Sequence, residues 1–149
     1  MLPILGGGFY MLPLILIKVL YTDIRYREIR NIDVLLILLS ILMVRYAHIS
    51  HLPYKITLLV LFIGIVLWHC GFCGAGDIKL ITVLTLGVDE QWFLLCLVST
   101  LLLGGVLAIA LCLWGRLSSN GAPYTKGVPY GVPIVVSFGF GIVLTLLPS

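Results

Sequence analysis

Charge is what this chain has least of. Among 149 residues there are nine Lys+Arg and six Asp+Glu, so only 10% are charged, while 61% are hydrophobic. Mean hydropathy is +1.20. Average soluble domains are about 25% charged. A chain this short has much surface for its volume, and a soluble version would need polar residues to cover it. The scarcity excludes a soluble enzyme, a disordered region and a nucleic-acid-binding domain as leading readings. Cysteine is also sparse, with four in all. Cys96 and Cys112 fall in apolar helix and read as packing residues. Cys70 and Cys73 form one CxxC beside His69. That cluster offers three ligands at most, where a structural zinc site usually takes four, so no metal is expected. No basic n-region with a cleavage site opens the chain, so no signal peptide is expected. There is no internal repeat.

What is present is a series of long apolar runs. A bilayer-spanning helix needs about 20 mainly apolar residues. The candidates are Leu2–Tyr21, Asn31–Tyr46, Ile56–Phe72, Asp77–Val88, Gln91–Trp114 and Tyr130–Leu147. The runs do not alternate, which predicts helices and not a barrel. The fourth is short, and charge arbitrates, since cytoplasmic loops are enriched in Lys and Arg. Six crossings put Arg25, Arg27, Arg30, Lys79, Arg116 and Lys126 on one side, with Arg45, Lys55, Asp89 and Glu90 on the other. Five crossings would split the cations evenly. The expectation is an all-α polytopic membrane protein of about six transmembrane helices, one membrane-embedded domain over 1–149 with no soluble domain. Both termini would lie outside, and the loops after the first, third and fifth spans would be cytoplasmic. Lys18 can snorkel from the end of the first span. Gly104, Gly105, Gly139 and Gly141 read as small residues that let helices approach.

Four of the six acids have ordinary explanations. Asp89 and Glu90 read as a solvated outer turn. Asp33 reads as a first-turn acid with Asn31 as the cap. Glu28 reads as an ion-pair partner among Arg25, Arg27 and Arg30, a basic stretch that anchors topology. Asp23 and Asp77 do not reduce this way. Asp23 comes at the end of the first span, and Asp77 follows Gly74-Ala-Gly76 at the start of the fourth. Both fall at the cytoplasmic boundary in the six-span arrangement. Ionisable groups at membrane depth are costly and are functional candidates by default. Two carboxylates at one depth suit acid–base activation of water: the pair shares a proton, one member takes a proton from water and the other donates to a carbonyl. Gly74 and Gly76 would let a substrate backbone approach and would permit a positive φ.

Three segments make a family resemblance: Asp23-Ile-Arg-Tyr-Arg-Glu-Ile-Arg-Asn31, Gly74-Ala-Gly-Asp-Ile-Lys-Leu80 and Pro129-Tyr-Gly-Val-Pro-Ile134. With them the chain resembles the type IV prepilin peptidases of the GxGD membrane aspartyl protease group. The compact form is similar to those of tight-adherence (Flp) pilus systems. Arg30 stands where the family pattern has proline. The resemblance implies that Asp23 and Asp77 are the catalytic pair and that Gly74, Gly76 and Lys79 belong to the active-site motif. Pro129, Tyr130 and Gly131 would form a loop at the site or set the start of the last helix.

Further expectations follow from the resemblance. The substrates would be prepilins or pseudopilins in the membrane, with the lipid bilayer and the pilus assembly or secretion machinery as partners and no nucleic acid. The location would be the bacterial inner membrane, with the active site facing the cytoplasm. No cofactor is expected, and the lack of a cytoplasmic insertion with paired CxxC motifs implies no N-methyltransferase activity. Alternatives are an archaeal-type preflagellin peptidase, a proton- or cation-coupled carrier subunit using the same aspartates, and a non-catalytic assembly subunit.

Overall fold

The computed structural model describes residues 3–48, 52–118 and 128–146. They form six helices, with no strand among the described residues: α1 (Pro3–Tyr26), α2 (Asn31–His48), α3 (Tyr54–His69), α4 (Ala75–Thr85), α5 (Glu90–Ser118) and α6 (Gly131–Leu146). Each apolar run became one helix. α1 continues five residues beyond the apolar run, so Asp23 sits in its last turns and not in a loop. Leu2, Lys126 and Leu147 lie outside the described residues.

α1, α2, α4 and α6 pack as a ring, with α3 laid against α4 and α5 against α6. Val19, Ile37, Leu80, Leu84 and Phe138 are fully buried within it. Contact pairs give the directions. A Cβ on Gly139 would meet Leu16 and one on Gly131 would meet Asp23, so α1 and α6 are antiparallel. A Cβ on Gly104 would meet Tyr130 and one on Gly141 would meet Cys96, so α5 and α6 are antiparallel too. The end of α1 and the starts of α2, α4 and α6 therefore share one end of the ring. Of the interhelical glycines, Gly104 and Gly141 make close approaches, while nothing lies within 4 Å of a Cβ on Gly105. Cys96 is buried, but Cys112 is exposed and packs no core.

Two helix ends aim the chain at this end. Arg27 has φ 58°, a left-handed conformation that closes α1. Its N–H donates to the Asp23 carbonyl at 3.1 Å, the αL capping bond usually made around glycine. Gly71, at φ 77°, closes α3. The N–H of Gly71 donates to Trp68 O at 2.9 Å and that of Phe72 to Leu67 O at 3.0 Å, a Schellman pair. The chain then reaches Gly74 and α4.

Three sequence expectations are corrected by packing. Asp33 is in the first turn of α2 but is wholly buried, ion-paired to Lys18, so Lys18 reaches inward to a partner. Asn31 does not cap α2. The Arg30 carbonyl accepts the first-turn N–H groups of Asp33 and Val34, and Asn31 Oδ1 accepts from Lys79 Nζ at 3.1 Å. Asp89 is not merely solvated: its Oδ1 accepts from the buried Arg45 guanidinium at 2.8 Å.

Among the described residues, one helix, α5, is long and apolar enough to cross a membrane; α3 and α6 are apolar but shorter. α4, with 11 residues, is about 16 Å long against a hydrocarbon core of about 30 Å. The outer surface of the bundle is apolar, with Phe62, Leu101 and Trp114 each more than two-thirds exposed.

Candidate active site

A cavity of about 410 Å³ opens at the shared end of the ring, lined by Asp23, Arg27, Glu28, Ile29, Arg30, Gly74, Gly76, Asp77, Val128 and Tyr130. Asp23 arrives on the end of α1 and Asp77 on the first turn of α4. The two carboxylates are near enough to act on each other electrostatically. Residues 54 positions apart in sequence thus meet in one pocket, because the antiparallel and parallel pairings of the ring bring those two helix ends to one level.

Asp23 is 5% exposed. Its Oδ2 has no hydrogen-bond partner among the described residues. Burial raises its pKa above the ordinary carboxylate range. The Arg27 guanidinium and the backbone N–H groups of Gly131 and Val132 oppose the rise without cancelling it. The carboxyl fits a notch in α6: a Cβ on Gly131 would stand 2.7 Å from Asp23 Oδ2, far inside van der Waals contact. Gly131 is thus at the helix start and at the site at once. The N-terminal amides it opens are suited to a negative charge.

Gly74 and Gly76 serve by size and not by conformation. Gly71 is the positive-φ glycine among the described residues, and Gly74 is extended at φ −72°. A Cβ on Gly76 would come 3.2 Å from Ile29 Cβ, and one on Gly74 would come 3.1 Å from Asp77 Oδ2. The backbone at Gly74 also hydrogen-bonds the Asp77 carboxylate. The first glycine therefore lets the acid fold back on its own turn. The second lets α4 approach the loop after α1.

Lys79 does not line the cavity; its bond to Asn31 ties the first turn of α4 to that of α2. Pro129 is buried, and Tyr130 lines the cavity with its ring against Gly104 of α5. Glu28 faces the cavity, whereas Arg25 stacks over the Tyr26 ring at 5.9 Å. Cys70 and Cys73 are exposed free thiols. Cys73 lies beside Asp77, whose charge adds to partial burial in raising the thiol pKa. Sequence reasoning did not single out Arg27, Ile29 or Val128. For Arg27 a signal existed: it is a cation only four residues after Asp23, although the left-handed turn, and not a shared helix face, brings it to the cavity.

A family model described as "Type IV leader peptidase family" matches residues 10–109. The chain belongs to that family. The match includes Asp23, Asp77 and the glycines between α3 and α4, and it ends before Pro129–Gly131. As a type IV leader peptidase family member the protein is a peptidase, and so a hydrolase. No curated protein and no solved structure matches it.

Proposed function

We propose that this peptidase is a membrane aspartic endopeptidase that removes a short basic leader from prepilin-like substrates. Asp23 and Asp77 would be the catalytic pair. The observation that carries the reading is the meeting of these two acids, from two helices, in one cavity that also contains Gly74, Gly76 and Tyr130.

The pair holds one proton between its two carboxyls, since like charges this close resist ionising together. The ionised carboxylate takes a proton from a water whose oxygen adds to the scissile carbonyl carbon. The neutral carboxyl gives its proton to the carbonyl oxygen, forming a gem-diol. Collapse breaks the C–N bond as the leaving nitrogen is protonated, and the pair regains its starting state. The products are a leader with a new carboxyl terminus and a mature chain with a free amine. The Asp23 carboxyl, held by α6 amides and shielded from bulk water, supplies the low-dielectric setting in which such charge shifts are effective.

The apolar exterior and the long apolar α5 support a membrane location. The cations support a cytoplasmic site: Arg25, Arg27, Arg30 and Lys79 are at the cavity end, and Arg45 pairs with Asp89 at the other. The bilayer would surround the apolar runs of the six helices and leave the cavity end at its cytoplasmic face. Compactness favours a tight-adherence type of pilus system, with no methyltransferase activity.

Co-expression with candidate prepilins tests this by the mobility shift of leader removal. Asp23→Asn and Asp77→Asn should each abolish cleavage while the protein still accumulates in the membrane fraction. Normal processing by either variant would refute the pair.

A further inference from the structure

The loop between α1 and α2 contains a residue in an unexpected conformation. A left-handed φ of 58° at Arg27 is one that glycine or asparagine adopts readily and that other L residues rarely do. Closing α1 does not require arginine, since a glycine would make the same capping bond at less strain. What arginine adds is its side chain. The left-handed turn reverses the chain at the cavity wall, and Arg27 lines the cavity together with Asp23. Of the other two arginines nearby, Arg25 is over the Tyr26 ring, and Arg30 lines the cavity just ahead of α2, but Arg27 is the cation that acts on Asp23.

Resting on the reading of Asp23 and Asp77 as the pair, we infer that Arg27 is a positioning residue that fixes the resting negative charge on Asp23, leaving Asp77 as the proton donor.

The surroundings of the two acids differ in the way this requires. Asp23 faces the Arg27 guanidinium and the N-terminal amides of Gly131 and Val132 on α6. From α4 it faces Asp77, whose charge would resist a second charge beside it. Glu28 and Arg30 line the same cavity from the loop, and Tyr130 lines it from the start of α6. On α2, Asp33 is already paired with Lys18. Asp77 has the Gly74 backbone as its hydrogen-bond partner. The nearest lysine in sequence, Lys79, is bonded to Asn31. A single negative charge shared by the pair is therefore best accommodated on Asp23. Water bound there would lose its proton to Asp23, and the carbonyl would be protonated from Asp77.

The left-handed backbone supplies a clean test. Arg27→Gly removes the cation and keeps the turn. Arg27→Lys keeps a cation in the same strained turn, and Arg27→Asn is a second neutral residue suited to αL. With a prepilin that the co-expression assay shows to be cleaved, kcat/KM is measured against pH for the full-length protein in detergent. In Arg27→Gly and Arg27→Asn the acid limb should move up by about one pH unit, because the base then needs a higher pH to ionise. Arg27→Lys should leave the limb near the wild-type position. A proportional loss at every pH, with the limb unmoved, would make Arg27 structural only and overturn the inference.

A thermal-unfolding cycle needs no substrate. At neutral pH, Asp23→Asn should raise the melting temperature more in the Arg27→Gly background than in wild type, and the excess should vanish in acid. Additive shifts would overturn the inference. Cleavage by Asp23→Asn would instead sink the pair itself, and the cycle would still report whether Arg27 acts on Asp23.

Discussion

Asp23 has an oxygen with no partner, in a notch that only glycine leaves open. Two predictions belong at this scale. The first concerns stability. A buried carboxyl with a raised pKa binds protons more tightly folded than unfolded, so stability is fully present below the ordinary carboxylate range and falls as pH rises through the raised value. Asp23→Asn removes that dependence. It should melt higher than wild type at neutral pH, and the difference should close in acid, as a thermal scan in detergent at several pH values would show. The second concerns placement. A Cβ at Gly131 must displace the carboxyl or the start of α6. Gly131→Ala should lower the cleavage rate by about a hundredfold, the scale of a 1 Å misplacement in an active site. Much of this was legible beforehand: two acids that ordinary explanations did not absorb, and glycines with a motif's spacing. What escaped was the reason for each glycine. Gly74 and Gly76 suggested backbone freedom but provide clearance, and the freedom is used at Gly71 and, at some strain, at Arg27.

At the scale of the element, long unalternating apolar runs specified six helices and nearly their limits. They did not reveal that α1 runs past its apolar stretch, because capping by a left-handed Arg27 has no compositional mark. Nor did they separate glycines that pack from glycines that do not. Gly104 and Gly105 are adjacent in one helix, yet one meets the Tyr130 ring and the other meets open space. The α5–α6 contact supplies a test. A Cβ on Gly141 would collide with Cys96 Sγ, so Gly141→Ala should lose about 1–3 kcal/mol by overpacking. Adding Cys96→Ala should restore most of it. Gly105→Ala should be neutral within about 0.5 kcal/mol. Melting of the three variants would decide, and a destabilised Gly105→Ala would mean that this face is covered.

For the molecule as a whole, the ion pairs Lys18–Asp33 and Arg45–Asp89 are mirror images in burial. Lys18 is half exposed and Asp33 fully buried, whereas Arg45 is 3% exposed and Asp89 is 35% exposed. Removing a pair's exposed member strands a charge that water cannot reach, and breaking a pair that way is the costly direction. Lys18→Met should therefore destabilise more than Asp33→Asn, and Asp89→Asn more than Arg45→Leu. Chemical denaturation of the four variants measures both orders, and a reversed order in either pair would show that hydration does not govern it. The sequence marked these charges as two faces of a membrane protein, but pairing depends on distance in space. Nothing in the chain's order joins residue 18 to residue 33 or residue 45 to residue 89.

α4, 11 residues long, is enclosed by α2, α3 and α6. Its start lies level with that of α2, where Lys79 bonds Asn31, and the turn after it reaches Arg45 and Thr145 through Asp89. This short rung is thus tied at both ends of the bundle. A helix held that way has no slack along its own axis, so the level of Asp77 relative to Asp23 is set by the frame and not by a movement of α4. Lengthening α4 by one turn would have to break the tie at one end or the other.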